Sequence, residues 1–170
     1  MKIMVINAGY SSQKFQLIDM DDESVKAKGL VERIGIEGTH FKQTVGDKVI
    51  EFTRNMADHT EAIAAVLEAL TDKENGAIES LDEIGACGHR VLHGGETFKA
   101  SALITEESLK AIEDLVPLGP LHQPPNIAGI KACQGSCRAS RTSLSLTTRS
   151  IRPCRPRRTS MRSRTSTIRT

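Results

Sequence analysis

The sequence predicts an α/β fold, on three observations. Short apolar runs rich in β-branched residues alternate with polar turns over roughly the first fifty residues. Near Thr60 the apolar period lengthens from that of a strand to that of a helix. A small-residue run, Ile84-Gly-Ala-Cys-Gly88, then returns as a strand suited to burial. At 170 residues the chain is long enough to bury one core.

The opening eighteen residues read as strand, tight polar turn, strand. Residues 2–6 form the first apolar run, Asn7-Ala-Gly-Tyr-Ser-Ser-Gln13 breaks it, and residues 14–18 resume the pattern. Such a turn offers backbone N–H groups around Gly9, two hydroxyls, an amide and a cation within one concavity. That set suits a phosphate chain: N–H dipoles and Lys14 meet negative oxygens, and Asn7 or a hydroxyl orients a metal or its waters. An ordinary hairpin with a polar loop is the alternative. Residues 25–34 follow as a third strand, and residues 41–45 and 48–52 flank Gly46-Asp47 as a hairpin. Ile63, Val66, Leu67 and Leu70 recur at helical spacing, with Asp58 or Thr60 as the cap. Thr105 caps a second helix over residues 106–115, with Leu109, Ile112 and Val116 inward. Residues 117–125 hold four prolines and are read as neither helix nor central strand. Asn126 caps a last helix over residues 126–134.

Charge is divided unevenly. Residues 135–170 carry ten arginines and no Lys, Asp or Glu, so the formal +2 splits into +10 there and −8 over residues 1–134. That segment also has fifteen Ser/Thr, no aromatic residue and no periodic apolar face, and by composition is expected to be a disordered basic tail. Cys87, Cys133, Cys137 and Cys154 are too sparse for a disulfide scaffold and lack zinc-finger spacing. No signal peptide and no membrane span is read, so a reducing cytoplasm is the expected location.

Two further motifs carry chemistry. In Gly88-His-Arg-Val-Leu-His-Gly-Gly-Glu96 a strand ends at Arg90 beside flexible backbone, where a guanidinium can grip a carboxylate or phosphate bidentately. A structural salt bridge for Arg90 is the alternative. His89 and His93 lie on a strand that ends in a turn, a spacing that makes no metal pair. Pro120-Leu-His-Gln-Pro-Pro125 is a stiff loop that fixes Leu121 and His122, or a rigid surface loop without a site.

The three motifs together, Val-Ile-Asn-Ala-Gly-x-Ser-Ser-x-Lys, Gly-His-Arg-Val-x-His-Gly-Gly-Glu and Pro-Leu-His-x-Pro-Pro-Asn-x-x-Gly-Ile, closely resemble the N-terminal part of the acetate kinases, the acetokinase family. The resemblance covers Met1 to about Gln134. It implies most of one lobe of the actin/sugar-kinase/Hsp70 phosphotransferase fold, a mixed sheet with flanking helices over residues 1–134. It implies reversible transfer of the ATP γ-phosphoryl to acetate, with Mg²⁺ and ATP in the cleft, a homodimer, and no specific nucleic acid or membrane partner. By residue it places Asn7 at the magnesium position, Lys14 on an ATP phosphate, and Arg90 on the acetate carboxylate or the transferring phosphoryl group. Leu92 and Leu121 fall at the small pocket for the substrate methyl, with His122 nearby. No catalytic residue is carried over, because the family's catalytic aspartate falls beyond Gln134. The departures are Tyr10 for a usual serine, Gln123 for asparagine, and Leu92 for a smaller valine. A propionate kinase of the same family is the near alternative, disfavoured by Leu92. A nucleic-acid-binding protein with a basic tail is the alternative from another class, and against it the tail has no aromatic residues for stacking.

The likeness stops abruptly at Gln134-Gly135, and a frameshift is the expected cause. Written with permitted codons and read from the third base, residues 138–153 allow Ile-Ala-Asp-Val-Ala-Val-Phe-Asp-Asn-Ala-Phe-His-Gln-Thr-Met. Residues 156–168 likewise allow Glu-Thr-Tyr-Ile-Tyr-Ala-Leu-Pro-Tyr-Glu-Tyr-Tyr. Both look like the family's continuation, including its Val-Phe-Asp aspartate. Nucleotide sequencing across the codons of Gln134 and Gly135 is expected to show one base lost from a G-rich run; an intact single frame there would end the idea.

Overall fold

The structure, a computed structural model, describes residues 1–91, 98, 101–136 and 142–146. Strands β1 (Lys2–Ala8), β2 (Ser12–Asp19), β3 (Ser24–Glu32), β4 (His40–Val45) and β5 (Lys48–Thr53) form an antiparallel meander. The β4–β5 turn rests on Gly46, whose φ of +57° lies where a Cβ would strain the backbone. Helix α1 (His59–Leu70) carries the chain back over the sheet to β6 (Ile84–Val91), which pairs parallel with β1. Asp58 caps α1, its carboxylate accepting the N–H groups of Thr60 and Glu61 at 2.8 and 3.0 Å. Then follow β7 (Ala102–Leu103), α2 (Glu106–Asp114), α3 (Gln123–Ser136) and β8 (Thr142–Leu146). The strand order is β5-β4-β3-β2-β1-β6-β8-β7, a mixed sheet with its parallel strands beside β1.

The core lies where α1 and α3 meet one face of this sheet. Met4, Ile6, Phe15, Leu17, Val31 and Phe41 enter from the strands, and Ile63, Val66 and Leu70 from α1. Phe41 stacks on Phe52, its register partner in β5, at 4.6 Å between ring centroids, a pairing that adds about 0.5–1.5 kcal/mol beyond area burial. Gln43 is fully buried on β4 and donates through Nε2 to the Ala69 carbonyl at 2.9 Å, tying the meander to the end of α1. A second apolar cluster of Val91, Ile112, Ile127 and Ile130 joins the end of β6 to α2 and α3.

Three expectations are corrected. The first turn is shorter than residues 7–13: the ladder runs to Ala8↔Gln13, so Asn7, Ala8, Ser12 and Gln13 are strand residues and Asn7 faces Lys14. Helix α3 begins at Gln123, not after an Asn126 cap. Pro124 and Pro125 sit in its first turn, where an intrahelical N–H is not needed and the fixed φ suits the helix. Finally, the segment from residue 135 is not wholly without structure. Helix α3 continues to Ser136, and β8 satisfies the open edge of β6, with Arg90 opposite Ser145. Among the described residues no helix is long and apolar enough to cross a membrane.

Gly29 on β3 lies beneath the Phe15 ring. A Cβ there would sit 2.4 Å from Phe15 Cζ and 2.5 Å from the Lys42 carbonyl oxygen, so the ring and a neighbouring strand would both have to move. Gly29→Ala is expected to lower unfolding free energy by about 2 kcal/mol in urea melts. An unchanged midpoint would show that the ring does not occupy this space.

Candidate functional site

Three adjacent strands bring the first two motifs together. Asn7 on β1 is the register partner of Lys14 on β2. On the other side of β1, Ile6 pairs with His89, which sets Arg90 of β6 beside Asn7 at the carboxyl ends of both parallel strands. Asn7, Lys14 and Arg90, with Ala8, Gly9 and Ser12, line one cavity of about 270 Å³. Its remaining wall is the start of α3, where His122 immediately precedes the helix and Asn126 lies in its first turn. The Asn126 N–H donates to the His122 carbonyl at 3.2 Å, and the N–H groups of His122 and Gln123 both donate to the Gly119 carbonyl. The proline-rich loop is thus folded back on itself and carries its polar residues to the strand ends.

The β1–β2 turn is held from behind. The Gly9 N–H donates to the Ser12 carbonyl at 2.7 Å, closing the turn. His59, the first residue of α1, donates through Nε2 to the Gly9 carbonyl at 2.8 Å. Burial lowers the His59 pKa, and the carbonyls of Gly9 and Ser12 oppose that shift without cancelling it. A neutral ring therefore acts as a strut between α1 and the turn. With the Gly9 carbonyl occupied by this strut, the cavity meets the turn's Ser12 and the Lys14 ammonium.

Two buried polar side chains near the site stand out. Asn126 is 3% exposed and its Oδ1 has no hydrogen-bond partner; Gln13, facing Ala8 across the ladder, is likewise buried with both amide atoms unpaired. Of the expected pocket residues, Leu121 is exposed and does not line the cavity, and Leu92 and His93 lie outside the described residues. Tyr10 projects from the turn into solvent. His59 and Asn126 were not singled out as site residues by the sequence analysis. Asn126 has a signal in the four-residue spacing from His122, which only a helix starting before it makes meaningful. His59 has none, because its partner lies fifty residues away.

Among known proteins, the acetokinase family model matches residues 2–143. The chain belongs to the acetokinase family. Acetate kinase of Clostridium botulinum (strain Langeland, type F) is 56% identical over 134 residues, 79% of this chain and 34% of that protein. Acetate kinase of Desulfitobacterium hafniense is 56% identical over 137 residues. In three dimensions, the crystal structure of Porphyromonas gingivalis acetate kinase matches with a TM-score of 0.81 and 37% identity, covering 85% of this chain and 37% of that one. A Francisella tularensis propionate kinase matches with a TM-score of 0.73 and 29% identity over 85% of this chain and 36% of that one. The chain therefore spans about a third of the length of these acetokinase relatives.

His89 anchors the site strand of this acetokinase sheet from the core side. It is 3% exposed, its Nε2 has no partner, and burial pushes its pKa from 6.5 down to about 4. Between those values the unfolded chain binds more protons than the folded one, so stability is full above pH 6.5 and drains as pH falls towards 4. The full effect is about 3 kcal/mol. His89→Gln is expected to flatten most of the pH dependence of thermal unfolding over this window. His59, shifted in the same direction, contributes to the remainder, and at the acid end so do Glu83, whose carboxylate the Lys2 ammonium holds low, and Asp72, held low by backbone N–H groups.

Proposed function

We propose that this chain carries the acid- and phosphate-gripping half of an acetate kinase site, in which the γ-phosphoryl of ATP passes reversibly to acetate. One observation carries the reading: three motifs far apart in sequence converge on a single cavity presenting Lys14, Arg90 and His122 around Asn7. Phosphoryl transfer to a carboxylate asks for positioning and charge neutralisation more than for covalent help from the protein. The acetate oxygen attacks the γ-phosphorus, the bond to the ADP oxygen breaks, and negative charge spreads over the transferred oxygens. Arg90, at the end of β6, holds the carboxylate or the transferring group. Lys14 neutralises phosphate charge from the neighbouring strand. His122 hydrogen-bonds at the mouth.

The cavity's own lining, with Lys14 and Arg90 and no carboxylate, does not make a magnesium site by itself. Asn7 would offer its neutral amide oxygen to an ion brought in on phosphate oxygens, or to the waters of that ion. Among the described residues no group of His, Cys, Asp or Glu could hold a metal ion. Mg²⁺ arriving with the phosphate chain would supply charge neutralisation to it. Acetate is favoured over propionate because the acetate kinases share 56% identity with this chain. A cytoplasmic homodimer is the expected setting of the complete enzyme.

We also propose that a frameshift follows Gln134, on the change of composition there and on the continuation that the shifted codons permit. In the shifted frame the aspartate of Val-Phe-Asp is spelled across codons 146 and 147, at the carboxyl end of β8, whose Ser145 stands opposite Arg90. The restored frame would thus deliver a carboxylate to the strand end beside Arg90. Kinase activity then belongs to the restored chain and not to the 170-residue one. The full-length protein expressed in the restored frame is expected to form acetyl phosphate from ATP and acetate, faster than it phosphorylates propionate. Lys14→Ala or Arg90→Ala should each lower kcat/KM about a hundredfold. Wild-type turnover in both variants would remove the assignment.

A further inference from the structure

The turn that joins β1 to β2 spends its carbonyl oxygens on the protein. The Ser12 carbonyl accepts the Gly9 N–H at 2.7 Å, and the Ser11 carbonyl accepts the Ile34 N–H at 2.9 Å. Both bonds run from backbone to backbone. The Gly9 carbonyl differs, because a side chain holds it: His59, at the start of α1, donates to it through Nε2 at 2.8 Å. His59 is 6% exposed, and burial favours the neutral ring, in which the nitrogen that meets a carbonyl carries the hydrogen. The N–H groups of Tyr10 and Ser11 take part in none of these bonds.

A hold on one carbonyl also decides where an N–H goes. The Gly9–Tyr10 peptide is trans and planar, so its C=O and its N–H point in opposite directions. With the Gly9 oxygen turned towards α1, the Tyr10 N–H is turned away from it. Gly9 lines the cavity with Ser12, Lys14 and Arg90, whereas His59 does not and stands behind the turn. Glycine backbone rotates readily, so Gly9 itself does little to stop this peptide from flipping. A flip would replace the outward N–H by a carbonyl oxygen, which repels an anion held at Lys14 and Arg90 where an N–H attracts it. Resting on the reading of this cavity as an anion-gripping site, we infer that His59 is a positioning residue for anion capture. Its hold on the Gly9 carbonyl keeps the Tyr10 N–H available to a phosphate oxygen, and His59 itself touches no ligand.

The test uses the 170-residue chain and inorganic tripolyphosphate, with backbone amide and lysine ammonium signals followed by NMR. In the unsubstituted chain, tripolyphosphate is expected to move both the Lys14 ammonium and the Tyr10 amide signals. His59→Leu keeps bulk but donates nothing. It should weaken tripolyphosphate binding about tenfold, the worth of one hydrogen bond to a charged group, and leave the Tyr10 amide still while Lys14 responds. His59→Gln, whose amide N–H can replace Nε2, should restore the affinity and the Tyr10 shift. A Lys14 response without a Tyr10 response in the unsubstituted chain overturns this inference and leaves the site reading standing. So does unaltered affinity in a His59→Leu variant that is folded by circular dichroism, or a His59→Gln variant as weak as His59→Leu. Should His59→Leu fail to fold, the Tyr10 response of the unsubstituted chain and of His59→Gln decides. Silence of Lys14 and Tyr10 alike removes the site reading and this inference with it.

Discussion

Asn7 faces Lys14 because β1 and β2 pair along their whole length and turn through only three residues, 9–11. That register is enforced from the far side of the sheet. Met4, Ile6, Phe15 and Leu17 are almost completely buried under α1 and α3. A slip of one residue would turn all four towards solvent and carry Asn7 and Lys14 into the core. Each of those large apolar side chains contributes about 1.5–3 kcal/mol by burial, so the misregistered sheet is excluded by several times the strength of any contact within the site. The placement of Asn7 and Lys14 at the cavity is thus a by-product of hydrophobic packing, which acts on the alternate residues of the same strands.

Packing also places the other components. Helix α1 contributes the apolar stripe that covers the meander, and its first residue, His59, reaches the turn that joins β1 to β2. Helix α3 buries Ile127, Ile130 and Cys133, while Asn126 in its first turn and His122 just before it line the cavity. One helix therefore serves site and core in succession, its first turn at the cavity and its later turns in the core. The prolines ahead of Asn126 make this possible, because they start a helix without requiring N–H partners. The body of the chain is acidic by composition, yet the cavity is lined by Lys14, Arg90 and His122. Local arrangement, and not net charge, makes the site attractive to anions.

The strand meander, the Gly46 hairpin, the two capped helices and the return strand at Ile84 could all be read from the residues, since each has a local cause. Period, capping side chain and turn glycine act within a few positions of themselves. Asn7, Lys14 and Arg90 could be singled out as polar or charged groups near strand ends, and the fold brings the three to one cavity. The extent of the first turn was misjudged because polar residues such as Asn7 and Gln13 favour turns locally, and only pairing with a neighbouring strand draws them into the ladder. Helix α3 was started three residues late because proline's disfavour within helices was weighed above its fitness for the first turn.

By itself, then, the sequence determined the kinds of element, their order, and the family whose motifs they carry, all of which follow from short-range pattern. Tertiary structure decided that residues 7, 14, 90, 122 and 126 border one cavity, and that His59 braces a turn fifty residues earlier. Those facts depend on long-range juxtaposition, which arises only when β6 inserts beside β1 and α3 folds back across both. No window of neighbouring residues contains that information.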